Sequence, residues 1–118
     1  MKINSQAFKQ LDQFDYHSVL EETKGISLVL FVKQSCSSCK SWASLLLNYQ
    51  NFHPAIQLFL LDVERDPGLG EEFELFHLPG IFLYIDGQFH ATIQSEARLS
   101  QFEAAVQKAV FSLPQETP

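Results

Sequence analysis

One junction in the sequence limits the possible folds more than any other feature. An almost unbroken apolar run, Ile26 to Val32, leads within four residues into a Cys-Ser-Ser-Cys tetrapeptide, and a helical pattern of apolar side chains follows. Such a run, rich in β-branched residues, is typical of a central strand that is covered on both faces. Cys36 and Cys39 are the only two cysteines in the chain. The pattern therefore predicts a strand that delivers a thiol pair to the start of a helix.

The position of this thiol pair favours redox chemistry over a structural role. Unpaired amide donors and a partial positive charge at a helix N-terminus favour a thiolate over a thiol. Hydrophobic residues make up 46% of the chain, so the fold does not depend on a disulfide. The alternative interpretation is an inert pair of cysteines at positions i and i+3 of a helix. A metal site is disfavoured, because a closed zinc site needs four ligands and the four histidines are dispersed along the sequence.

Length and charge exclude several classes of protein. A chain of 118 residues fits one compact domain, which we expect to cover residues 1–113, with a loose polar tail at 114–118. A net charge of -6 argues against nucleic acid or an anionic membrane as a partner, since both require a basic surface. Residues 1–20 contain no apolar segment typical of a secretory signal, and no apolar run approaches the length of a membrane-spanning helix. We therefore expect a cytoplasmic monomer.

Apolar periodicity predicts an α/β fold. Short strands and helices alternate along the chain, and the order closes with a hairpin followed by a helix. The predicted strands are 8–11, 26–32, 56–63, 81–85 and 88–93, and the predicted helices are 14–22, 36–53, about 69–76 and 97–111. Because parallel crossovers are right-handed, this order gives a central mixed β-sheet with helices on both faces.

Several local expectations accompany these elements. Asp86-Gly87 is a strong two-residue hairpin signal, since both positions tolerate positive φ. Asp66-Pro67-Gly68 is interpreted as a turn before the third helix, and Phe14 as part of the inner face of the first helix. Alternation in the last strand places one set of side chains on the inner face, namely Phe89, Ala91 and Ile93, against Gln88, His90 and Thr92 on the other.

The chain resembles the thioredoxin family over nearly its whole length. The motifs that carry the resemblance are the CxxC pair at a helix start, Leu61-Asp62-Val63 before Asp66-Pro67-Gly68, Leu78-Pro79 about forty residues after the cysteines, and Asp86-Gly87 before a closing helix. The resemblance implies a thioredoxin fold and a thiol-disulfide oxidoreductase that acts on protein disulfides. In the family the proline of this motif is cis and its loop faces the disulfide, so Pro79 inherits that position.

The resemblance also implies the site residues. Cys36, before the first turn of the helix, would attack a substrate disulfide, and Cys39, one turn deeper, would resolve the mixed disulfide. The residues expected to contact the substrate are Ser35, Ser37, Ser38, Leu78 and Pro79. The sequence contains no glycine-rich phosphate loop, so we expect no bound cofactor. Electrons would come from a thiol reductant or a reductase.

Some side chains near the site have two possible roles. Ser37 and Ser38 could donate hydrogen bonds to the thiolate, which would make the disulfide more oxidising, or they could cap the helix. Lys40 could add positive potential or be a solvated surface lysine, and Trp42 could contact substrate or pack in the core. His77 could modulate thiol ionisation or lie on a surface loop.

Six positions depart from the family pattern. Ser35 stands where an aromatic residue usually precedes the first cysteine, and Ser37-Ser38 replace the Gly-Pro of thioredoxin. Leu30 and Leu60 occupy the positions of a buried acid and a neighbouring lysine, and Ser95 lies near the place of a usual glycine. Because the acid accepts the proton of the resolving thiol in thioredoxin, we expect slower resolution in this chain. The missing aromatic suggests a narrower set of protein substrates.

These features leave two functional hypotheses. The first is a small thiol-disulfide oxidoreductase in which Cys36 attacks and Cys39 resolves. The second is a thioredoxin-fold module that binds a partner or senses redox state with little catalytic turnover. The departures favour the second hypothesis, and the intact cysteine pair together with Pro79 favours the first.

Overall fold

The protein folds into a five-stranded mixed sheet with helices on both faces, as the sequence predicts. The structure is a computed structural model that describes residues 7–75 and 77–118. The strands are β1 (Phe8–Gln10), β2 (Ile26–Val32), β3 (Gln57–Asp62), β4 (Gly80–Ile85) and β5 (Gln88–Thr92). The helices are α1 (Tyr16–Glu22), α2 (Ser37–Phe52), α3 (Pro67–Glu72) and α4 (Leu99–Val110). The predicted α/β class, in the arrangement of the thioredoxin fold, is confirmed.

The apolar run of the sequence forms the central strand. The strand order is β1-β3-β2-β4-β5, with β1, β3 and β2 parallel and with β4 and β5 antiparallel to their neighbours. Apart from Ile26, every residue of β2 is buried. A strand covered on both faces needs apolar side chains at successive positions rather than at alternate ones, which explains why the run is unbroken.

Two separate cores lie on the two faces of the sheet. The core that we name the cysteine-side core lies under α2 and α4, and its buried members include Leu30, Cys36, Cys39, Leu46, Leu60, Ile81, Phe102 and Val106. The core that we name the aromatic core lies under α1 and α3, and its members include Tyr16, Phe31, Phe59, Leu69, Phe73, Phe82 and Tyr84. Successive residues of each central strand point to opposite faces, so one strand supplies both cores.

The hairpin between β4 and β5 forms as predicted. Asp86 and Gly87 have φ angles of 49° and 81°, so both central positions of the turn are left-handed. The Asp86 carboxylate also accepts a hydrogen bond of 2.7 Å from the Gly25 amide. A Cβ on Gly87 would lie 2.6 Å from the carbonyl oxygen of Glu21, so the second position requires glycine for space as well as for φ.

The predicted alternation in the last strand is wrong at Phe89 and His90. Phe89 packs against the aromatic core, whereas Ala91 and Ile93 belong to the cysteine-side core. Tyr84 pairs with Phe89 while Leu83 pairs with Ala91, so His90 is the extra residue of a β-bulge and its side chain turns inward. The ring is buried, and Nε2 donates to the carbonyl oxygen of Ala109 at 2.7 Å and to that of Ser112 at 3.0 Å. His90 thus satisfies free carbonyl groups at the end of α4.

Two helix starts also differ from the prediction. Phe14 is 87% exposed, because the Asp12 carboxylate accepts the amides of Phe14 and Asp15 and turns the chain before α1 begins. Pro67, predicted in a turn, is instead the first residue of α3, where its missing amide costs no hydrogen bond. Phe73 is buried at the end of that helix, and Phe76, also predicted on it, lies outside the described residues.

The C-terminal segment lies beside the edge strand. Residues 111–118 are exposed. The Gln115 amide donates to the carbonyl oxygen of His90 at 2.7 Å, and the Gln115 side chain accepts from the Thr92 amide at 3.0 Å. The looseness of 114–118 stays a prediction. Over the described part of the chain, no helix is long and apolar enough to cross a membrane.

Candidate functional site

The two cysteines form a disulfide at the N-terminus of α2. Cys36 is the N-cap residue, with extended backbone angles (φ -94°, ψ 101°), and Cys39 lies in the first turn. The two Cα atoms are 5.4 Å apart, and the Cys39 amide donates to the carbonyl oxygen of Cys36 at 3.2 Å. An extended residue directly before a helix brings its side chain close to the free amides of the first turn. The junction identified in the sequence therefore places a bonded sulfur pair at a helix start.

Cys39 is buried more deeply than Cys36. Cys36 retains 7% of its surface, whereas Cys39 retains none. Leu30, which is fully buried in the same cysteine-side core, pairs with Leu60 on one side and with Ile81 on the other. Both positions where thioredoxin has an acid and a lysine therefore carry packed leucines.

The buried polar side chains of the described residues are engaged away from Cys39. They are Ser27, Asp66 and His90. Asp66 pairs with Arg65 at 2.8 Å beside α3, on the opposite face of the sheet, and His90 binds the end of α4. Ser27 lies at the start of β2, whereas the cysteines follow its end. None of the three is placed to accept a proton from the Cys39 thiol.

The loop that contains Pro79 reaches the same edge of the sheet as the cysteines. Gly80 pairs with Phe31 in the antiparallel β2–β4 ladder, so the residues before Gly80 lie beside the end of β2. The Leu78–Pro79 peptide bond is cis. Leu78 is half-buried and packs against the cysteine-side core, of which both cysteines are members. The structure thus brings Leu78 and Pro79 to the edge where Cys36 lies.

The three serines around the cysteines are exposed. The hydroxyl oxygen of Ser38 lies 3.5 Å from the sulfur of Cys36, within the range of a weak hydrogen bond to sulfur. No side chain caps the N-terminus of α2, so the capping role considered for Ser37 and Ser38 is not present. Ser35 and Ser37 are solvent-exposed on either side of Cys36.

Sequence reasoning missed Glu64. The Glu64 carboxylate accepts a hydrogen bond from the backbone amide of Gln34, two residues before Cys36. Glu64 follows β3, the parallel neighbour of β2, so its loop emerges at the same edge as the cysteines. The available signal was an acidic residue directly after the predicted strand 56–63, and the sequence alone does not specify which strand lies beside it.

The remaining candidates make no hydrogen bond to Cys36. Trp42 packs edge-to-face against Phe102, with ring centroids 5.7 Å apart, which confirms the packing interpretation. Lys40 and His77 are exposed, and no hydrogen bond joins either side chain to Cys36. Within residues 7–75 and 77–118, no group of three or more His, Cys, Asp or Glu side chains is placed to hold a metal ion.

Comparison with known proteins identifies a family. The model of the family described as Thioredoxin matches residues 7–108. Mitochondrial thioredoxin 3 from Saccharomyces cerevisiae, in its oxidized form, has 20% identity and a TM-score of 0.73, over 86% of this chain and 94% of that chain. A structure from work on the thiol resolving mechanism in yeast mitochondrial 1-Cys peroxiredoxin via glutathione/thioredoxin systems has 18% identity and a TM-score of 0.73, over 86% and 95%. No curated protein matches the chain.

Proposed function

Because the chain belongs to the thioredoxin family, we propose that it is a thiol-disulfide oxidoreductase that exchanges disulfides with protein substrates through Cys36 and Cys39. The observation that carries this proposal is the Cys36–Cys39 disulfide at the N-terminus of α2, on the edge of the sheet that Leu78 and Pro79 also reach. A helix start favours the thiolate form of Cys36 once the disulfide is reduced.

The proposed reaction has two exchange steps. The Cys36 thiolate attacks one sulfur of the substrate disulfide, a Cys36–substrate bond forms, and the other substrate sulfur leaves as a thiolate. The Cys39 thiol then loses its proton to water or to that leaving thiolate. Its sulfur attacks Cys36, and the second substrate thiolate leaves. The substrate gains two electrons, and the protein is left with the Cys36–Cys39 disulfide.

Substrate contact is proposed for the surface around Cys36. Ser35, Ser37 and Ser38 are exposed beside the sulfur, and Leu78 and Pro79 retain part of their surface. An extended segment of the substrate would pair with the backbone before Pro79, as a strand added to an open edge. A low-molecular-weight thiol or a reductase would then reduce the disulfide. We propose that the protein does this as a monomer in the cytoplasm.

A second candidate function is a partner-binding or redox-sensing module. The observation that favours it is the environment of Cys39. Leu30 and Leu60, which are buried in the same core, occupy the positions where thioredoxin has ionisable groups. A resolving thiol without an internal base would leave the mixed disulfide long-lived. Such a protein would hold its partner covalently rather than turn over.

Insulin reduction with dithiothreitol as electron donor tests the proposal. The unmodified protein should accelerate reduction, and the Cys36→Ser variant should not. A Cys39→Ser variant should in addition collect mixed disulfides with several proteins from a lysate, because it cannot resolve them. Absence of turnover, together with one partner that the Cys36→Ser variant also retains, would overturn the oxidoreductase proposal in favour of the module.

A further inference from the structure

We propose that Glu64 is a positioning residue for Cys36: its carboxylate holds the loop that precedes the nucleophile. This inference rests on the proposed function. Glu64 accepts the amide proton of Gln34, and the Cys36 amide donates to the carbonyl oxygen of Lys33 at 3.3 Å, which closes a turn over residues 33–36. The Glu64 contact therefore acts on a backbone atom inside the turn that carries the attacking sulfur.

The loop has little apolar anchoring of its own. Lys33, Gln34 and Ser35 are all exposed, whereas Val32 before them and Cys36 after them are buried. With serine directly before Cys36, no large side chain is available there to pack against the sheet. The turn is therefore stabilised by hydrogen bonds rather than by apolar packing. A hydrogen bond to an ionised carboxylate is about twice as strong as a neutral one.

Glu64 is itself held firmly at its backbone. The Asp62 carboxylate accepts the amide of Glu64 at 2.9 Å and that of Arg65 at 3.3 Å. The Val63 amide donates to the carbonyl oxygen of Val32 at 2.9 Å, which continues the β2–β3 pairing up to the start of the loop. The carboxylate of Glu64 thus extends from a fixed turn of β3 to the adjacent loop of β2.

Glu64 has two separable effects on Cys36. As a hydrogen-bond acceptor it fixes the loop, and its negative charge, held against the loop that precedes Cys36, would disfavour the thiolate. A Glu64→Gln substitution keeps an acceptor oxygen of similar reach and removes the charge. A Glu64→Ala substitution removes both. Glu71, an exposed glutamate on α3, provides a matched control as Glu71→Ala.

The test measures the rate at which Cys36 attacks dithiodipyridine, an uncharged disulfide, as a function of pH in Cys39→Ser proteins. Both Glu64 variants should lower the apparent pKa of Cys36, because both remove one negative charge from the loop that precedes it. The rate of the fully ionised thiolate should fall about fivefold in Glu64→Ala and stay within about twofold in Glu64→Gln and Glu71→Ala. Thermal melting checks that all variants fold, which the exposed position of Glu64 favours.

Three results would overturn the positioning role: an unchanged thiolate rate in Glu64→Ala, an equal loss in both Glu64 variants, or an equal loss in Glu71→Ala. The attack is a single step and requires no catalytic turnover. If insulin is not reduced by the unmodified protein, the proposed function fails while this measurement still reports on Glu64. If insulin is reduced and the Glu64 variants do not separate, the positioning role alone fails.

Discussion

The two faces of the sheet are built from different chemistry. The aromatic core packs rings edge-to-face, as in Phe31 and Phe82 at 4.8 Å, and it contains a hydrogen bond of 2.7 Å between the hydroxyl groups of Tyr16 and Tyr84. In the cysteine-side core, the strand side chains around Cys39 are aliphatic. The two buried tyrosine hydroxyl groups of the aromatic core therefore satisfy each other, while Cys39 has no such polar partner in the described part of the chain.

The difference confines the thiol chemistry to one face. Both cores contain edge-to-face aromatic pairs, so both faces are expected to contribute to the folding free energy. Among the residues that the structure describes, the buried polar side chains lie away from Cys39, and Leu30 and Leu60 occupy the positions where thioredoxin has ionisable groups. Changes in either core should thus lower the free energy of unfolding, whereas only changes on the cysteine side should alter thiol chemistry.

The largest expected effect comes from opening one core at a time. Phe82→Ala should lower the free energy of unfolding by about 3–5 kcal/mol, and Leu46→Ala on the cysteine side by about 2–5 kcal/mol, since both side chains are fully buried. Urea unfolding measures these losses. In the reduced folded proteins, iodoacetamide labelling of Cys39 should rise about tenfold only in Leu46→Ala. Equal labelling of Cys39 in the two variants would contradict the separation of the cores.

The second largest expected effect is a loss of folding stability in the aromatic core at alkaline pH. Burial raises the pKa of Tyr84 to about 12 and that of Tyr16 well above its ordinary value of 10. The neutral phenols therefore stabilise the fold below pH 10, and this stability is lost as pH rises above 10, where the unfolded chain ionises first. Between pH 9 and pH 11 each tyrosine should account for about 1.4 kcal/mol.

Urea unfolding of the oxidised protein at pH 9 and pH 11 measures this loss without titration of the thiols. A Tyr84→Phe variant should lose about 1.4 kcal/mol less over the same interval, because it has one fewer group to ionise. A variant that loses as much as the unmodified protein would show that Tyr84 does not contribute to the pH dependence.

The fold follows from the sequence where the signal is local. The apolar run of β2, the cysteine junction and the positive φ angles at Asp86-Gly87 depend on neighbouring residues, and all three predictions are confirmed. The inward orientation of His90 could not be predicted. It depends on a β-bulge between β4 and β5, which interrupts the alternation of side chains along the strand. The exposed Phe14 depends on a turn set by the Asp12 carboxylate, which hydrophobic periodicity does not detect.

The site was only partly predictable for the same reason. The sulfur pair and the Pro79 loop are marked by motifs, so their residues could be named in advance. Glu64 contacts a backbone amide that is thirty positions away in sequence. Until the strand order is known, the sequence does not distinguish Glu64 from any other acidic residue that follows a strand. The catalytic and substrate-contact roles of the named residues stay predictions.

The smallest expected effect is at the hydroxyl beside Cys36. Ser38→Ala should lower the reduction potential of the disulfide by about 10–20 mV, because its hydroxyl group, 3.5 Å from the bonded Cys36 sulfur, would donate a stronger hydrogen bond to the thiolate of the reduced protein. Ser37→Ala is the matched control and should leave the potential unchanged, since the Ser37 side chain makes no hydrogen bond to the sulfur. Equilibration with glutathione redox buffers measures both values. An equal shift in the two variants would remove the specific role of Ser38.

The most direct test of whether Cys39 has a proton acceptor is the rate at which it resolves a mixed disulfide. Cys36 is first linked to thionitrobenzoate, and stopped-flow absorbance follows release of that group at pH 7 in the unmodified protein, in Leu30→Asp and in Leu30→Asn. We expect at least about tenfold faster release in Leu30→Asp alone, because only aspartate supplies a base in the core that contains Cys39. Release from the unmodified protein as fast as from Leu30→Asp would contradict the claim that Cys39 lacks a proton acceptor.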